Sequence, residues 1–461
     1  MLEIEPELTD RLFTTFDLSR GAVAAVSGGS DSTALLLLLK QYMDRNTPPA
    51  RLLAVTVDHD LRAGSAVEAK AVAALCAQRG IAHRTLVWSN NKPSSGLPAA
   101  AREARYRLLA KAARDEGLGL IMTGHTADDQ AETVLMRKAR DGGPDDNDRR
   151  GLAGMAPAML HDWRTWVARP LLGTRRAALR EVLRQRNVGW IEDPTNVDAR
   201  FERPRVRASL AGRDGERRIE EALAWAVEAA AAREDIGRRA VMLIETFATA
   251  PAPGLVRLDP DFADCEDREA AIYALRILLA TVGGAAFLAD DARCRMLLAR
   301  LRSAPLRATL SRAVVDARRI GIFLRREARN LPAAAAPVDN TLWDGRRWIT
   351  LSDNTDGLVI APLGFAAAKR ATLNEVAPPS LLRAALAAEP VLWAGDECLD
   401  FAGSGAARRP VSIVAAAAPF ARFLPSFDLR PAAAVAALVG APPFPAPPFR
   451  GHDSNAGWAK A

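Results

Sequence analysis

Cysteine is scarce in this chain and forms no pattern. Cys76, Cys265, Cys294 and Cys398 are scattered over 461 residues, with no C-x-x-C pair and no histidine at metal-ligand spacing. This argues against a disulfide framework, a zinc site or an iron–sulfur ligand set, and fits four reduced thiols in a cytosolic protein. Long apolar runs are also missing. The longest leucine run, Leu35–Leu39, falls far below the about 20 residues that cross a bilayer. The first residues, Met1-Leu-Glu-Ile-Glu-Pro-Glu7, are acidic and predict no secretory signal. No repeat recurs at a fixed period. The expectation is a cytoplasmic protein with no membrane partner.

What is present is ordinary globular material, 49% hydrophobic and 25% charged, long enough for two to four domains at roughly 150 residues each. The net charge of +7 is local. Residues 137–218 hold 19 Lys/Arg against 12 Asp/Glu, and the remainder has 43 of each sign. A single basic region is the footprint of a polyanion partner, although arginine-rich helix faces in solvent give the same count.

From residue 21 to about 200, short apolar strands alternate with amphipathic helices. The strands are Gly21–Val26, Leu52–Val57, Ile81–Trp88, Leu118–Thr123 and Trp166–Arg169; helices follow at 33–43, 65–79, 99–116, 127–140 and 175–185. This pattern predicts an α/β fold, a doubly wound parallel sheet covered on both faces. Residues 215–302 read as Ala-rich helix without strands. Short strands are expected from Arg307 onward, around 314–315, 320–324, 348–351 and 358–361, and a Pro-rich extended tail at 441–449. The expected domains are 1–212 (α/β), 213–305 (helical) and 306–461 (a smaller mixed α+β domain with the Pro-rich tail).

The most informative segment is Ser27-Gly28-Gly29-Ser30-Asp31-Ser32, which follows a strand and opens a helix. Glycines let backbone approach a phosphate, helix-start N–H groups bind anions, the serines add donors, and Asp31 can hold the Mg²⁺ of a pyrophosphate. Asp58 and His59 end the second strand, on the carboxyl edge where parallel sheets bind ligands. His125, Asp128, Asp129 and Glu132 end the fourth strand and open the next helix. Thr126 and Asp129 also have the spacing of a capping box, but one histidine and three acids exceed what capping requires.

SGGSDS resembles the pyrophosphate loop of the PP-loop ATPases, which split ATP between the α- and β-phosphates. Taken with DHDLR at 58–62, AREARY at 101–106, HTADDQAET at 125–133, GLAGM at 151–155, Arg169-Pro-Leu-Leu172, Asp193-Pro-Thr-Asn196, Phe201-x-Arg203 and Arg207, the chain resembles the tRNA(Ile)-lysidine synthetases over residues 20–210. The resemblance implies a carbon–nitrogen ligase that uses ATP to adenylate C2 of the wobble cytidine in CAU-anticodon tRNA(Ile). Free L-lysine then displaces AMP, and decoding changes from AUG to AUA. It implies ATP contacts at residues 27–32, Asp58 and His59, and Mg²⁺ at Asp31. Lysine recognition falls to Asp129 and Glu132, with Asp128 and His125 lining the reaction centre, and α-phosphate neutralisation to Arg102 or Arg105. Arg169, Arg175, Arg203, Arg205 and Arg207 are the candidate tRNA contacts. A homodimer is compatible with the sequence, which does not fix the oligomeric state. Two departures stand out: Pro98 replaces the family's usual Glu, and the stretch between Arg137 and Gly151 is longer than the compact family joint. A tRNA thiolase of the same superfamily is disfavoured because Cys76 has no C-x-x-C partner. A non-catalytic RNA-binding protein is the other alternative.

Overall fold

The computed structural model describes residues 6–61, 64–89, 92–140, 149–192, 198, 200–303, 305–370, 377–395, 397–401 and 410–450. The chain forms two compact units. The first comprises residues 1–233, 425–427 and 445–461, and the second residues 234–424 and 428–444.

The first unit opens with α1 (Pro6–Phe13) and β1 (Ala22–Ala25), then α2 (Ser30–Asn46), β2 (Leu52–Asp58), α3 (Ser65–Gln78), β3 (Ala82–Val87), α4 (Leu97–Asp115), β4 (Leu120–Thr123) and α5 (Ala127–Arg140). A strand pair, β5 (Ala158–His161) and β6 (Thr165–Ala168), leads to α6 (Arg176–Gln185) and α7 (Glu202–Ser209), and the long α8 (Gly215–Phe247) contains the unit boundary. Six strands of the sheet lie wholly in this unit, in the order β5-β6-β4-β1-β2-β3. All neighbours are parallel except β5, which pairs antiparallel with β6 (Met159 opposite Val167). This antiparallel strand was not expected from the sequence.

The central strands β1, β4 and β6 are buried nearly throughout, whereas β3 at the edge is largely exposed. That is why the former read as unbroken apolar runs. Val23, Leu53, Val55, Ile121 and Val167 pack against Tyr106, Leu109, Ala110 and Ala113 of α4. The Leu35–Leu39 run of α2 is entirely buried, since this helix packs against both α1 and α6. Beyond the sheet, Trp166 Nε1 donates to Pro445 O (3.2 Å), and Phe449 bridges antiparallel to Phe16.

The second unit begins with a hairpin, β7 (Ala248–Ala252) and β8 (Leu255–Leu258), within the stretch expected to be free of strands. Its Ala- and Pro-rich composition offers only two β-branched residues, Thr249 and Val256, and pairing of β8 with the distant 321–326 segment decides its conformation. Next come α9 (Arg268–Gly283), α10 (Asp291–Leu301), β9 (Leu306–Leu310), β10 (Ala313–Arg318) and β11 (Gly321–Arg326), closing a five-stranded sheet β7-β8-β11-β10-β9. The remaining elements are β12 (Thr341–Trp343), β13 (Arg347–Leu351), β14 (Leu358–Pro362), α11 (Gly364–Ala368), α12 (Pro379–Leu386), β15 (Pro390–Ala394), β16 (Glu397–Phe401), β17 (Val411–Ala415), β18 (Phe423–Pro425) and α13 (Leu429–Val439). Among these, β12-β13-β17 and β14-β15-β16 form two small antiparallel sheets. No helix among the described residues is long and apolar enough to cross a membrane.

Candidate active site

Chain order reverses direction across the sheet at β1. The chain runs from β1 outward to β2 and β3 on one side, and returns to β4 and β6 on the other. The crevice beyond the carboxyl ends of β1 and β4 is therefore the switch point at which open α/β sheets bind ligands. The serine-glycine loop leaves β1 and the histidine-acid segment leaves β4, so both motifs meet there. Gly124 makes this approach possible: a Cβ on it would lie 2.9 Å from the Asp31 backbone.

The loop is braced from within. Ser27 N–H donates to Ser32 Oγ (3.1 Å), Ser32 Oγ donates to Gly29 O (3.1 Å), and Ser30 Oγ donates to Asp31 Oδ1 (2.9 Å). Gly28 has φ +86°, and a side chain there would also strike Ile191, whose N–H donates to Gly28 O (2.9 Å). Gly29 is the N-cap of the 17-residue α2 and supplies no side-chain cap, leaving the helix-start donors available to an anion.

On the facing side, Asp129 does double duty. Its Oδ2 accepts from Thr126 N–H and Oγ1 (both 2.9 Å), so the capping box forms; its Oδ1 accepts from Arg176 Nη2 (2.9 Å). Glu132 is 1% exposed and takes Arg203 Nε (2.9 Å) and Arg207 Nε (2.7 Å) on its two oxygens. Asp128 accepts the Arg176 backbone N–H (2.7 Å) and the Arg175 guanidinium (3.2 Å). Burial works against the Asp128 carboxylate, but these donors outweigh it and hold its pKa below the ordinary value. Asp31 shows the reverse balance. Burial raises its pKa although Arg176 Nε sits 2.8 Å from Oδ2.

Thr123 Oγ1 lies 2.9 Å from His125 Nδ1 and 3.2 Å from Ala168 O, so this hydroxyl orients the ring. Burial, reinforced by Arg169, Arg105, Arg102 and Arg203, drives the His125 pKa well below its usual value, so the ring is neutral at pH 7. His59 is likewise lowered, by burial and then by Arg105.

Cations here outnumber their partners. Arg105 Nε, Arg169 Nε and His59 Nδ1 are buried without a hydrogen-bond partner among the described residues. Arg102 and Arg105 lie 5.0 and 5.4 Å from the centre of the buried Tyr106 ring. Burial would raise the phenol's pKa, yet Arg169, Arg105 and Arg102 together bring it down to about 7. Several buried guanidinium donors gathered here without an acceptor make this a place suited to an anion.

Most of the sequence-derived set converges here: residues 27–32, Asp128, Asp129, Glu132 and His125, with Arg105 beside them. Asp58 ends β2, with Oδ1 accepting from Asp60 N–H (2.8 Å). The five arginines divide. Arg169 is 4% exposed and donates to Ala156 O (2.7 Å); Arg175, Arg203 and Arg207 face the acids; only Arg205 lies exposed. Three residues went unnoticed in the sequence. Arg176 joins the loop to the acids. Gln130 clasps Met155 through its N–H (2.7 Å) and O (3.1 Å), and Arg137 holds Gly151 O (2.6 Å) and Gly154 O (3.0 Å). Together, Gln130 and Arg137 tie the GLAGM segment to α5. Pro98 occupies the first turn of α4, where its missing N–H costs nothing. Arg62, the extended joint at 141–148 and Asp193–Asn196 fall outside the described residues.

The second unit has a cleft of about 610 Å³, lined by Pro251, Pro253, Val282, Ile413, Val414 and Leu438 among others. Its charged lining residues, Arg346 and Arg347, are already committed to the buried Glu389. The chemistry lies instead at the switch point of the first unit.

Residues 4–213 match the family model of a PP-loop domain. A tRNA(Ile)-lysidine synthase of Mesorhizobium japonicum is 62% identical over 457 residues, spanning 99% of this chain and 100% of that protein. One from Brucella melitensis is 43% identical over 348 residues, 73% of this chain and 75% of that protein. Among solved structures, the U34-tRNA thiolase NcsA of Methanococcus maripaludis is 15% identical with a TM-score of 0.40, covering 48% of this chain and 78% of that one.

Proposed function

The chain belongs to the tRNA(Ile)-lysidine synthase family, and we propose that the switch-point pocket of its first unit carries both halves of the ligation. In the first, the C2 oxygen of the wobble cytidine attacks the α-phosphorus of ATP and pyrophosphate leaves. In the second, the ε-amine of lysine attacks C2, and AMP departs with the oxygen.

ATP binding fits the residues present. The loop presents Ser27, Ser30 and Ser32 hydroxyls and uncapped helix donors to the β- and γ-phosphates, and the unpartnered Arg105 Nε faces the charge that develops on the α-phosphate. Mg²⁺ would take Asp31 as its single protein carboxylate and complete its shell with phosphate oxygens and water, as that ion commonly does. When bound, it neutralises the leaving pyrophosphate.

Lysine enters as an ammonium. With a pKa of about 10.4, only about one molecule in 2,500 is neutral at pH 7. Asp129 recognises the cation, with Glu132 behind it holding Arg203 and Arg207; Asp128 and the neutral imidazole of His125 are the acceptors for its proton. The flipped cytidine needs phosphate contacts around the pocket, and Arg205 on the exposed face of α7 is one. The reaction belongs in the cytoplasm, with the tRNA pool.

One observation carries this reading: a single guanidinium, that of Arg176, lies within 3 Å of both Asp31 and Asp129, so the nucleotide loop and the acids share one pocket. The test is mass spectrometry of the wobble base after incubation with ATP and lysine, together with Asp31→Ala. The variant should lose adenylation by at least about a thousandfold while retaining tRNA binding. Lysine-independent turnover, or adenylation that survives Asp31→Ala, would overturn the assignment.

A further inference from the structure

Arg176 is the first residue of α6, and its three nitrogens are divided between two motifs that the chain separates by about a hundred residues. Nε donates to Asp31 Oδ2 at 2.8 Å, Nη2 to Asp129 Oδ1 at 2.9 Å, and Nη1 lies 3.6 Å from Glu132 Oε1. The guanidinium is rigid and planar, so these contacts are geometrically linked and cannot be broken one at a time without turning the whole group. Its backbone is fixed as well. The Arg176 N–H donates to Asp128 Oδ2, Thr174 O accepts from Ala127 N–H (3.0 Å), and α6 packs along α2. Only the side chain is at liberty to move.

We propose that Arg176 is a positioning residue that couples the nucleotide loop to the lysine-binding acids, so that each substrate is held more tightly when the other is present. The inference rests on the site reading above. Without nucleotide, Arg176 neutralises Asp31 and occupies the Asp129 oxygen that an incoming ammonium needs. The nucleotide and its Mg²⁺ compete for Asp31 and offer phosphate oxygens to the displaced guanidinium. As Arg176 turns toward the phosphates, Asp129 Oδ1 is uncovered. Glu132 keeps its hydrogen bonds to Arg203 and Arg207; those two guanidiniums stay 3.8 and 3.9 Å from Asp129 Oδ1, beyond hydrogen-bond length, so Arg176 is the donor whose departure frees that oxygen. Reciprocity follows from linkage: lysine must favour nucleotide by the same factor.

The test uses the full chain in calorimetric titrations of L-lysine, with and without saturating α,β-methylene-ATP and Mg²⁺. Wild-type affinity for lysine should rise at least about tenfold with the analogue bound, a typical coupling. In Arg176→Met that ratio should fall to about two or less, and the nucleotide-free protein should bind lysine more tightly than wild type does. Arg176→Lys guards against a folding defect, since its point charge meets one carboxylate at a time and should lose the coupling too. Equal lysine affinity in the two wild-type states overturns the inference, as does an unchanged ratio in both variants. If wild type binds neither the analogue nor lysine, the site reading itself fails and takes this inference with it.

Discussion

Arg176 in the first unit and Arg346 in the second each bridge two carboxylates that are distant in sequence, yet their surroundings differ. Arg346 Nε donates to Asp344 Oδ2 (2.9 Å), Nη1 to Glu389 Oε1 (2.5 Å) and Nη2 to Ala388 O (2.6 Å). Arg347 Nε and Arg326 Nε close on the same two acids at 2.7 and 3.0 Å. Cations exceed anions there too, but surplus Arg326 donors end on the carbonyls of Arg329 and Asn330. In the first unit part of the surplus ends on nothing: Arg105 Nε and Arg169 Nε are buried and unmatched, although Arg169 Nη1 reaches Ala156 O. Clustered charge is thus a poor sign of function when taken alone, and so is a lone unmatched donor, since Arg325 Nε in the second unit is buried without a partner too. The informative feature is several unmatched guanidinium donors gathered beside His59 and His125.

The contrast can be broken most sharply at Glu389. Its side chain is 2% exposed and holds two arginines, so Glu389→Ala leaves buried cations uncompensated. Urea unfolding should show a loss of about 3–5 kcal/mol for the second unit. Adenylation per folded molecule in the wobble-base assay should stay within about twofold of wild type. A collapse of adenylation without loss of stability would make the second network functional and erase the distinction. Arg105→Gln should do the opposite. Removing one preorganised donor at a developing charge costs about 10²–10³ in rate, so pyrophosphate release in single-turnover assays should drop by that factor. Melting temperature should hold or rise, because an unmatched buried donor and a like-charge neighbour are both removed. A destabilised variant with normal turnover would reduce Arg105 to a packing residue.

Much of the first unit was legible in the sequence because its signals are local. The bounds of α5 follow from the Thr126–Asp129 capping box and from β4 before it, and the loop after β1 from its glycines. What stayed hidden depends on pairing or on helix phase. Arg175 and Arg176 are adjacent and chemically equivalent in sequence. The structure separates them because Arg175 is the N-cap of α6, where its side chain turns toward Asp128 and Glu216, while Arg176 begins the helix and turns inward. Likewise Arg203 and Arg207 read as surface tRNA contacts until the four-residue spacing of α7 sets both against Glu132. In the second unit the strands near 314, 320, 348 and 358 were visible as short apolar runs. Their distant partners were not, since register across about 60–70 residues, as between β11 and β8 or β13 and β17, has no local signature.

The smallest effect sharpens the comparison from the protonation side. Tyr106 is 1% exposed and hydrogen-bonds Arg169. Burial disfavours its phenolate, but Arg169, Arg105 and Arg102 overcome that and bring its pKa to about 7. An unfolded tyrosine ionises near 10, so between about pH 7 and 10 the unfolded chain binds one proton more than the folded one. The stabilisation is absent below pH 7 and grows as pH rises. Wild type and Tyr106→Phe should therefore have similar stability at pH 6, with wild type ahead by about 1 kcal/mol at pH 8. Absorbance at 295 nm gives an independent reading: one of the three tyrosines should ionise between pH 6 and 8, and that step should vanish in the Phe variant. Because the arginines drive the shift, an anion that occupies their unmatched donors should push the step back toward higher pH. Titration with α,β-methylene-ATP present then reports whether the phosphates sit where the unpartnered nitrogens point. A step that ignores the nucleotide would mean that the arginines answer only to Tyr106, and the first unit's cluster would be as closed as the second's.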